Sequence, residues 1–252
     1  MHQLISRRRL LTGAGHGTVA VVLLGAAACS GDSGEPAGPA GPAGAGDATP
    51  SAGSSPEGSG DWTRVDLGFV AAYVLVRGRE AAVVDTGVAG SADAIGESLS
   101  GAGSSWPAVR HVLLTHYHQD HAGGVPDVMQ RAESATGYAG DADLPRIDGP
   151  RPMEAAADGA EIFGLQVVAT PGHTAGHISL FDPATGVLVA GDALTNTAGL
   201  AGSNPQYTAD AGQARESLRK LAALPVRTIY VGHGEAVQDG AAEALRRLAQ
   251  GG

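Results

Sequence analysis

Four residues able to hold a metal ion fall within six positions of one another, in His116-Tyr117-His118-Gln119-Asp120-His121. Imidazole nitrogens and carboxylate oxygens are the donors that suit a borderline divalent cation such as zinc. They follow the apolar run Val112-Leu113-Leu114, which reads as a strand. In an extended chain His116 and His118 point the same way. Asp120 and His121 can then face a second ion if the chain turns at Gly123 and Gly124. A solvated polar loop accounts for one such histidine. It does not account for four donor residues packed directly behind a strand.

Further along, single donor groups follow short apolar runs in the same manner. Gln166-Val167-Val168-Ala169 leads into Thr170-Pro171-Gly172-His173-Thr174-Ala175-Gly176-His177, Val187-Leu188-Val189-Ala190 leads to Asp192, and Thr228-Ile229-Tyr230-Val231 leads to His233. A Gly-Asp pair alone is an ordinary turn; the recurrence in order is what carries weight. Strand ends converging on one sheet edge would bring these groups together. Asp85 closes the strand Ala81–Val84 at a glycine turn, a setting in which a carboxylate holds loop amides, so it is expected beside the metal and not on it. His177 opens the strand Ile178–Phe181 and is read the same way. His111, ahead of the apolar run, is read as a surface or packing residue.

The segment 116–121 resembles the His-x-His-x-Asp-His signature of the metallo-β-lactamase superfamily, and residues 170–177 resemble its second motif. The resemblance runs from about residue 64 to 250. It implies an α/β (α+β) fold, a four-layer αββα sandwich, holding two divalent ions, zinc first, with iron or manganese as alternatives. His116, His118 and His173 would hold one ion, Asp120, His121 and His233 the other, and Asp192 would bridge them. The implied activity is hydrolysis of an ester, thioester, lactone or amide in a small-molecule substrate, by a hydroxide that the ions generate near neutral pH. Asp120 is the implied catalytic residue, orienting that hydroxide and sharing its proton. Within the superfamily, His118 disfavours the di-iron redox branch, which carries Glu there. A single cysteine, Cys29, far from the motifs, excludes the cysteine-ligand β-lactamases, and Asp192 disfavours the other β-lactamases. Glyoxalase II-type thioesterases add a C-terminal glutathione-binding region, and with residues 236–252 following Glu235 that specificity is not expected. General hydrolases and lactonases remain. Two other readings compete: a mononuclear iron dioxygenase of sulfur compounds, and a non-catalytic tethered metal- or ligand-binding protein.

The formal charge of −10 argues against a nucleic-acid partner, because phosphate binding needs a basic stripe. Arginines cluster only at Arg7-Arg8-Arg9, which with the apolar segment 18–28 reads as a twin-arginine-type lipoprotein signal peptide over residues 1–28. Ala26-Ala27-Ala28-Cys29 resembles a lipobox, with Cys29 lipidated. Residues 30–60 contain no Leu, Ile, Val, Met or aromatic residue and read as a disordered spacer. The expected product is an extracytoplasmic domain, residues 61–252, that meets the membrane only through its lipid. The oligomeric state is not legible in the sequence.

Strands are further expected at 69–76, 110–114 and 161–163. Helices are expected at 91–100, with Ser91 as N-cap, and at 125–133, 208–224 and 240–250. Residues 139–158, with three prolines plus Arg146 and Arg151, read as irregular: a lid or a solvated connector.

Overall fold

The structure, a computed structural model, describes residues 61–251. The twin-arginine segment, Cys29 and the spacer up to residue 60 lie outside the described residues.

Strand β2 (Ala71–Arg77) shows how the layers arise. Ala72 and Val74 face one side, Ala71, Tyr73 and Leu75 the other, and all five are buried. A strand apolar on both faces must be covered on both. It pairs with β1 (Asp61–Asp66) and, through the Gly78 turn, with β3 (Glu80–Val84), which repeats the pattern with Ala81 and Val83 against Ala82 and Val84. Three parallel strands extend the sheet: β4 (Val109–Leu113), β5 (Thr136–Ala139) and β6 (Glu154–Ala155). Its outer face takes α1 (Ala92–Gly101) and, beyond the one-turn α2 (Gln119–Ala122), α3 (Val125–Arg131), which contribute Ile95, Leu99, Val128 and Met129 to one core.

The inner face packs on a second sheet, joined by Val167, Ile178, Leu180, Val187 and Val189 in a second core. That sheet comprises β7 (Glu161–Ile162), β8 (Leu165–Ala169), β9 (Ile178–Asp182), β10 (Val187–Gly191) and β13 (Thr228–Val231), in the order β13-β10-β9-β8-β7. A small hairpin, β11 (Leu194–Thr195) with β12 (Ala201–Gly202), lies between β10 and β13 in the chain. The outer face of the second sheet is covered by α4 (Ala211–Ala222) and α5 (Ala241–Gly251), through Leu218, Leu221 and Leu245. The expected αββα sandwich is thus built from strands whose two faces are both apolar.

Asp182 clamps the two sheets. Its buried carboxylate receives the Trp62 indole N–H of β1 (2.9 Å) and pairs with the Arg77 guanidinium of β2 (2.8 Å).

Strand direction is what positions the site. β10 runs parallel to β13 and antiparallel to β9, which is antiparallel to β8. The C-terminal ends of β8, β10 and β13 therefore point the same way, as do those of β3, β4 and β5 in the first sheet. The donor-bearing loops leave these ends, so convergence joins the rims of two sheets and not one sheet edge.

Several boundaries differ from the sequence reading. Helix α4 begins at Ala211, not at residue 208, because Asp210 caps it by accepting Gly212 N–H (2.8 Å) and Gln213 N–H (3.0 Å). Ser91 sits at the N-cap of α1 without a side-chain bond. The segment 139–158 is mostly exposed to solvent, as a connector would be, but it is not irregular throughout. It carries the end of β5, a single 3-10 turn and β6, and Arg151 binds the carbonyls of Met129, Ala132 and Ala135 at 2.7 Å each. Those carbonyls lie at and beyond the end of α3, where a guanidinium is favoured. His111 packs its ring against Phe163 and Tyr138, with centroids 5.1 and 5.9 Å away.

Candidate metal centre

The loop after β4 starts from a buried anchor. Thr115 donates its backbone N–H to Asp85 Oδ1 (2.7 Å) and its hydroxyl to Asp85 Oδ2 (2.8 Å). His118 is extended, and the chain then winds into the single turn of α2, which carries Asp120 and His121. The reversal comes from this helical turn, ahead of the glycines expected to make it. Gly124 is required for a different reason, since a β-carbon there would overlap the Thr86 carbonyl.

All seven donor residues singled out in the sequence are brought to one place. His118 Nδ1 lies 3.0 Å from His116 Nε2 and 2.9 Å from His173 Nε2. Opposite them, Asp120 Oδ2 lies 3.2 Å from His233 Nε2 and 3.8 Å from His121 Nε2. Asp192 stands between the groups, with Oδ1 3.3 Å from His121 Nε2, and Oδ2 3.4 Å from both His173 Nε2 and His233 Nε2. Donors around one tetrahedral zinc, each about 2.0–2.1 Å from it, sit about 3.3 Å apart. The observed separations bracket that value.

The outer nitrogens of the rings fix what the inner ones present. Because the Thr115 hydroxyl is spent on Asp85, its oxygen accepts from His116 Nδ1 (3.1 Å). His121 Nδ1 donates to Asp85 Oδ2 (2.8 Å) and His233 Nδ1 to the Phe69 carbonyl (2.7 Å). His173 Nδ1 donates to Ser203 Oγ (3.0 Å), whose proton goes on to Thr208, which donates to the Asn204 carbonyl. The outer nitrogens of these four rings thus carry protons and leave the inner nitrogens to face the centre. A proton on His118 Nδ1 could bridge to only one of its two neighbours. His121 Nε2 and Asp192 Oδ1 are buried without a hydrogen-bond partner. This donor set fits cations.

Electrostatics agree. Burial keeps His116 well below the usual histidine range and, against the pull of Asp192, lowers His173 to about 4. Burial opposes charge on His121, but Asp192 and Asp85 overcome it and hold the ring well above its ordinary value. Hydrogen bonds donated to Asp120 and Asp192 raise His233 to about 10. Burial works against ionisation of Asp192 and Asp120, yet the histidines facing them hold both carboxyls below the ordinary range. The carboxylates draw positive charge to this point.

His177 does not face the centre. Its Nε2 accepts the Asp192 N–H (3.0 Å), and its Nδ1 meets Thr170 Oγ1 (2.8 Å), which reaches Ser179 Oγ (3.0 Å) and, through it, the Ala190 carbonyl (3.0 Å). Burial lowers this histidine to about 3. Asp85 holds left-handed backbone at φ 58° with its side chain buried. One residue escaped the sequence reading. Asp143, buried after β5, accepts Thr174 Oγ1 (2.6 Å), Gly176 N–H (2.7 Å) and Tyr117 N–H (3.2 Å), tying the His118 and His173 loops together.

The centre forms the floor of a cavity of about 650 Å³ whose walls include Phe69, Leu194 and Tyr207. Clustered imidazoles and carboxylates on the rim of an αββα sandwich, open to a cavity of this size, make a candidate metal centre within reach of a small molecule. The profile of the metallo-beta-lactamase superfamily matches residues 65–233, and the chain belongs to that superfamily.

Among curated relatives it is similar to the hydroxyacylglutathione hydrolase of Rhodospirillum rubrum, 37% identical over 160 residues, which span 60% of this chain and 56% of the relative. A hydroxyacylglutathione hydrolase of Pseudomonas putida is 37% identical over 162 residues, 62% of this chain and 57% of the relative. The chain therefore spans little more than half the length of these relatives. Among solved structures, TTHA1623 in a di-iron-bound form aligns with TM-score 0.62 and 25% identity, covering 74% of this chain and 98% of that one. The metallo-beta-lactamase SMB-1 bound to 2-mercaptoethanesulfonate aligns with TM-score 0.62 and 22% identity, covering 77% and 92%, which speaks for the fold.

Proposed function

We propose that this protein hydrolyses a thioester or ester of a small molecule at a two-ion centre, zinc being the first candidate. The observation that carries the proposal is the position of Asp192 between two donor groups. One comprises His116, His118 and His173, the other Asp120, His121 and His233. Seven donors with a shared carboxylate support two ions over a mononuclear iron site. The hydroxyacylglutathione hydrolases among the relatives favour a thioester among the bonds this centre could cleave.

Two such ions, when bound, supply a nucleophile at neutral pH and polarise the carbonyl. The chain supplies the rest. Asp85 and Thr115 keep protons on the outer nitrogens of His121 and His116, so that the inner lone pairs are free to bind. Asp120, partly open to the cavity, accepts the proton of the attacking water on its carboxylate. Asp143 holds the two loops carrying His118 and His173 at fixed separation.

Elemental analysis of the purified protein should find two ions per chain. Asp120→Ala should lose hydrolysis by orders of magnitude. Full hydrolysis by Asp120→Ala with metal retained would sink the mechanism. The same proposal places the domain outside the cytoplasm on lipidated Cys29, supported by the lipobox-like sequence. Cys29→Ala should then leave the membrane fraction, and its retention there at wild-type levels would contradict the anchor.

A further inference from the structure

We infer that the part of the substrate remote from the scissile bond is uncharged and apolar, an alkyl or aryl group. This inference rests on the hydrolase reading. Among the described residues three large hydrophobic side chains are exposed, Phe69 (64%), Val88 (37%) and Tyr207 (58%). The two most exposed line the cavity over the metal centre, with Leu194 beside them. They come from two separate loops, one between β1 and β2 and one between β12 and α4. Water-facing aromatics gathered around one concavity mark a surface kept for an apolar ligand.

The rest of the wall gives the complementary half of the argument. Apart from the centre's own groups, the lining is completed by uncharged polar residues, Gln119, Thr195, Thr197 and Asn204. No lysine or arginine of the described residues lines it. Arg64 is engaged with the Gly234 carbonyl and Glu235, and Arg146 lies over the Tyr117 ring at 4.0 Å. A carboxylate on the distal end of a substrate would enter this cavity without a cationic partner, losing hydration without compensation. Glutathione carries two carboxylates, so this wall does not suit the leaving group that names the relatives.

Three thioesters of one acyl family test this on the metal-replete protein. Hexanoyl-N-acetylcysteamine is neutral throughout. Its adipoyl counterpart differs by one free carboxylate far from the carbonyl, and S-hexanoylglutathione puts charge on the leaving side instead. The neutral compound should exceed both in kcat/KM by about tenfold or more, a small part of the cost of burying an unpaired charge, since the cavity is open to solvent. Tyr207→Ala should lower kcat/KM for the neutral compound about tenfold, mainly through KM, as expected when an aromatic ring no longer covers the apolar group. Tyr207→Arg should shift preference toward the adipoyl thioester.

Turnover of either charged thioester at or above the neutral rate would overturn the inference and leave the hydrolase reading standing. Turnover of none of the three, with two ions bound, would strike the hydrolase reading itself and the inference with it. Calorimetry with thioether isosteres, which cannot be cleaved, reads recognition separately. Equal affinity for the neutral and carboxylated isosteres would also overturn the inference.

Discussion

Replacing Asp85 by asparagine isolates the orienting role of a side chain bound to the outer nitrogen of His121. Asparagine tolerates the left-handed backbone at φ 58° better than other L residues, so the fold is kept. The amide cannot choose its orientation. The Thr115 backbone N–H, an obligate donor 2.7 Å from Oδ1, must find the amide oxygen, which puts the NH2 group at the place of Oδ2. That group then faces His121 Nδ1, now 2.8 Å from Oδ2, donor against donor. His121 can escape only by moving its proton to Nε2, the nitrogen that looks at Asp192. One buried charge-assisted bond is lost, about 1.5–3 kcal/mol. The matching drop in affinity for the second ion is about 10–100-fold, as found when an outer partner of a metal-binding histidine is removed. Zinc titration of metal-free protein against a chromophoric chelator should show one affinity lowered and the other unchanged. The group around His116 should be spared, since the amide oxygen still accepts the Thr115 hydroxyl. Two wild-type affinities in Asp85→Asn would refute the reasoning.

Gly232→Ala should lower metal content and destabilise by about 1–3 kcal/mol, because the added β-carbon would overlap Asp192 Oδ1 and the His121 ring; metal analysis and urea unfolding read both. Asp182→Ala leaves Arg77 buried against the second sheet without its carboxylate. Its urea stability should fall by about 3–5 kcal/mol, with metal content unchanged from wild type, since the clamp is remote from the centre. Burial keeps His111 below the ordinary histidine range. The unfolded chain therefore binds the extra proton first, and stability should decline as pH falls through about 6.5. In His111→Gln that decline should be shallower, and an unchanged pH slope in unfolding would remove His111 from the account.

The donor pattern was legible because it is local. His116, His118, Asp120 and His121 share one segment, and His173, Asp192 and His233 each follow an apolar run that folds as a buried strand. The two-faced burial of β2 and β3 was legible for the same reason, as an unbroken apolar run. Asp143 was not. Its partners lie at Tyr117, Thr174 and Gly176, 26 to 33 residues away, and it sits among prolines and polar residues that read as loop. Strands β5 and β6 were missed because Thr-Gly-Tyr-Ala and Glu-Ala hold no periodicity; β4 recruits β5, and β5 in turn recruits β6. The single turn of α2 is likewise too short to announce itself.

The hydrogen bonds behind Asp192 run in one direction only. They begin at a backbone N–H, which can only give, and end at the Ala190 carbonyl, which can only receive. His177 must therefore hold its proton on Nδ1, Thr170 must pass its own to Ser179, and Ser179 must pass its own to the carbonyl. Every seat is taken, and reversing one bond would leave two donors colliding at an end. The row is an insulator, not a wire. A proton released at the centre finds no way out through this back wall, and the open cavity flanked by Asp120 and His233 is the route left to it.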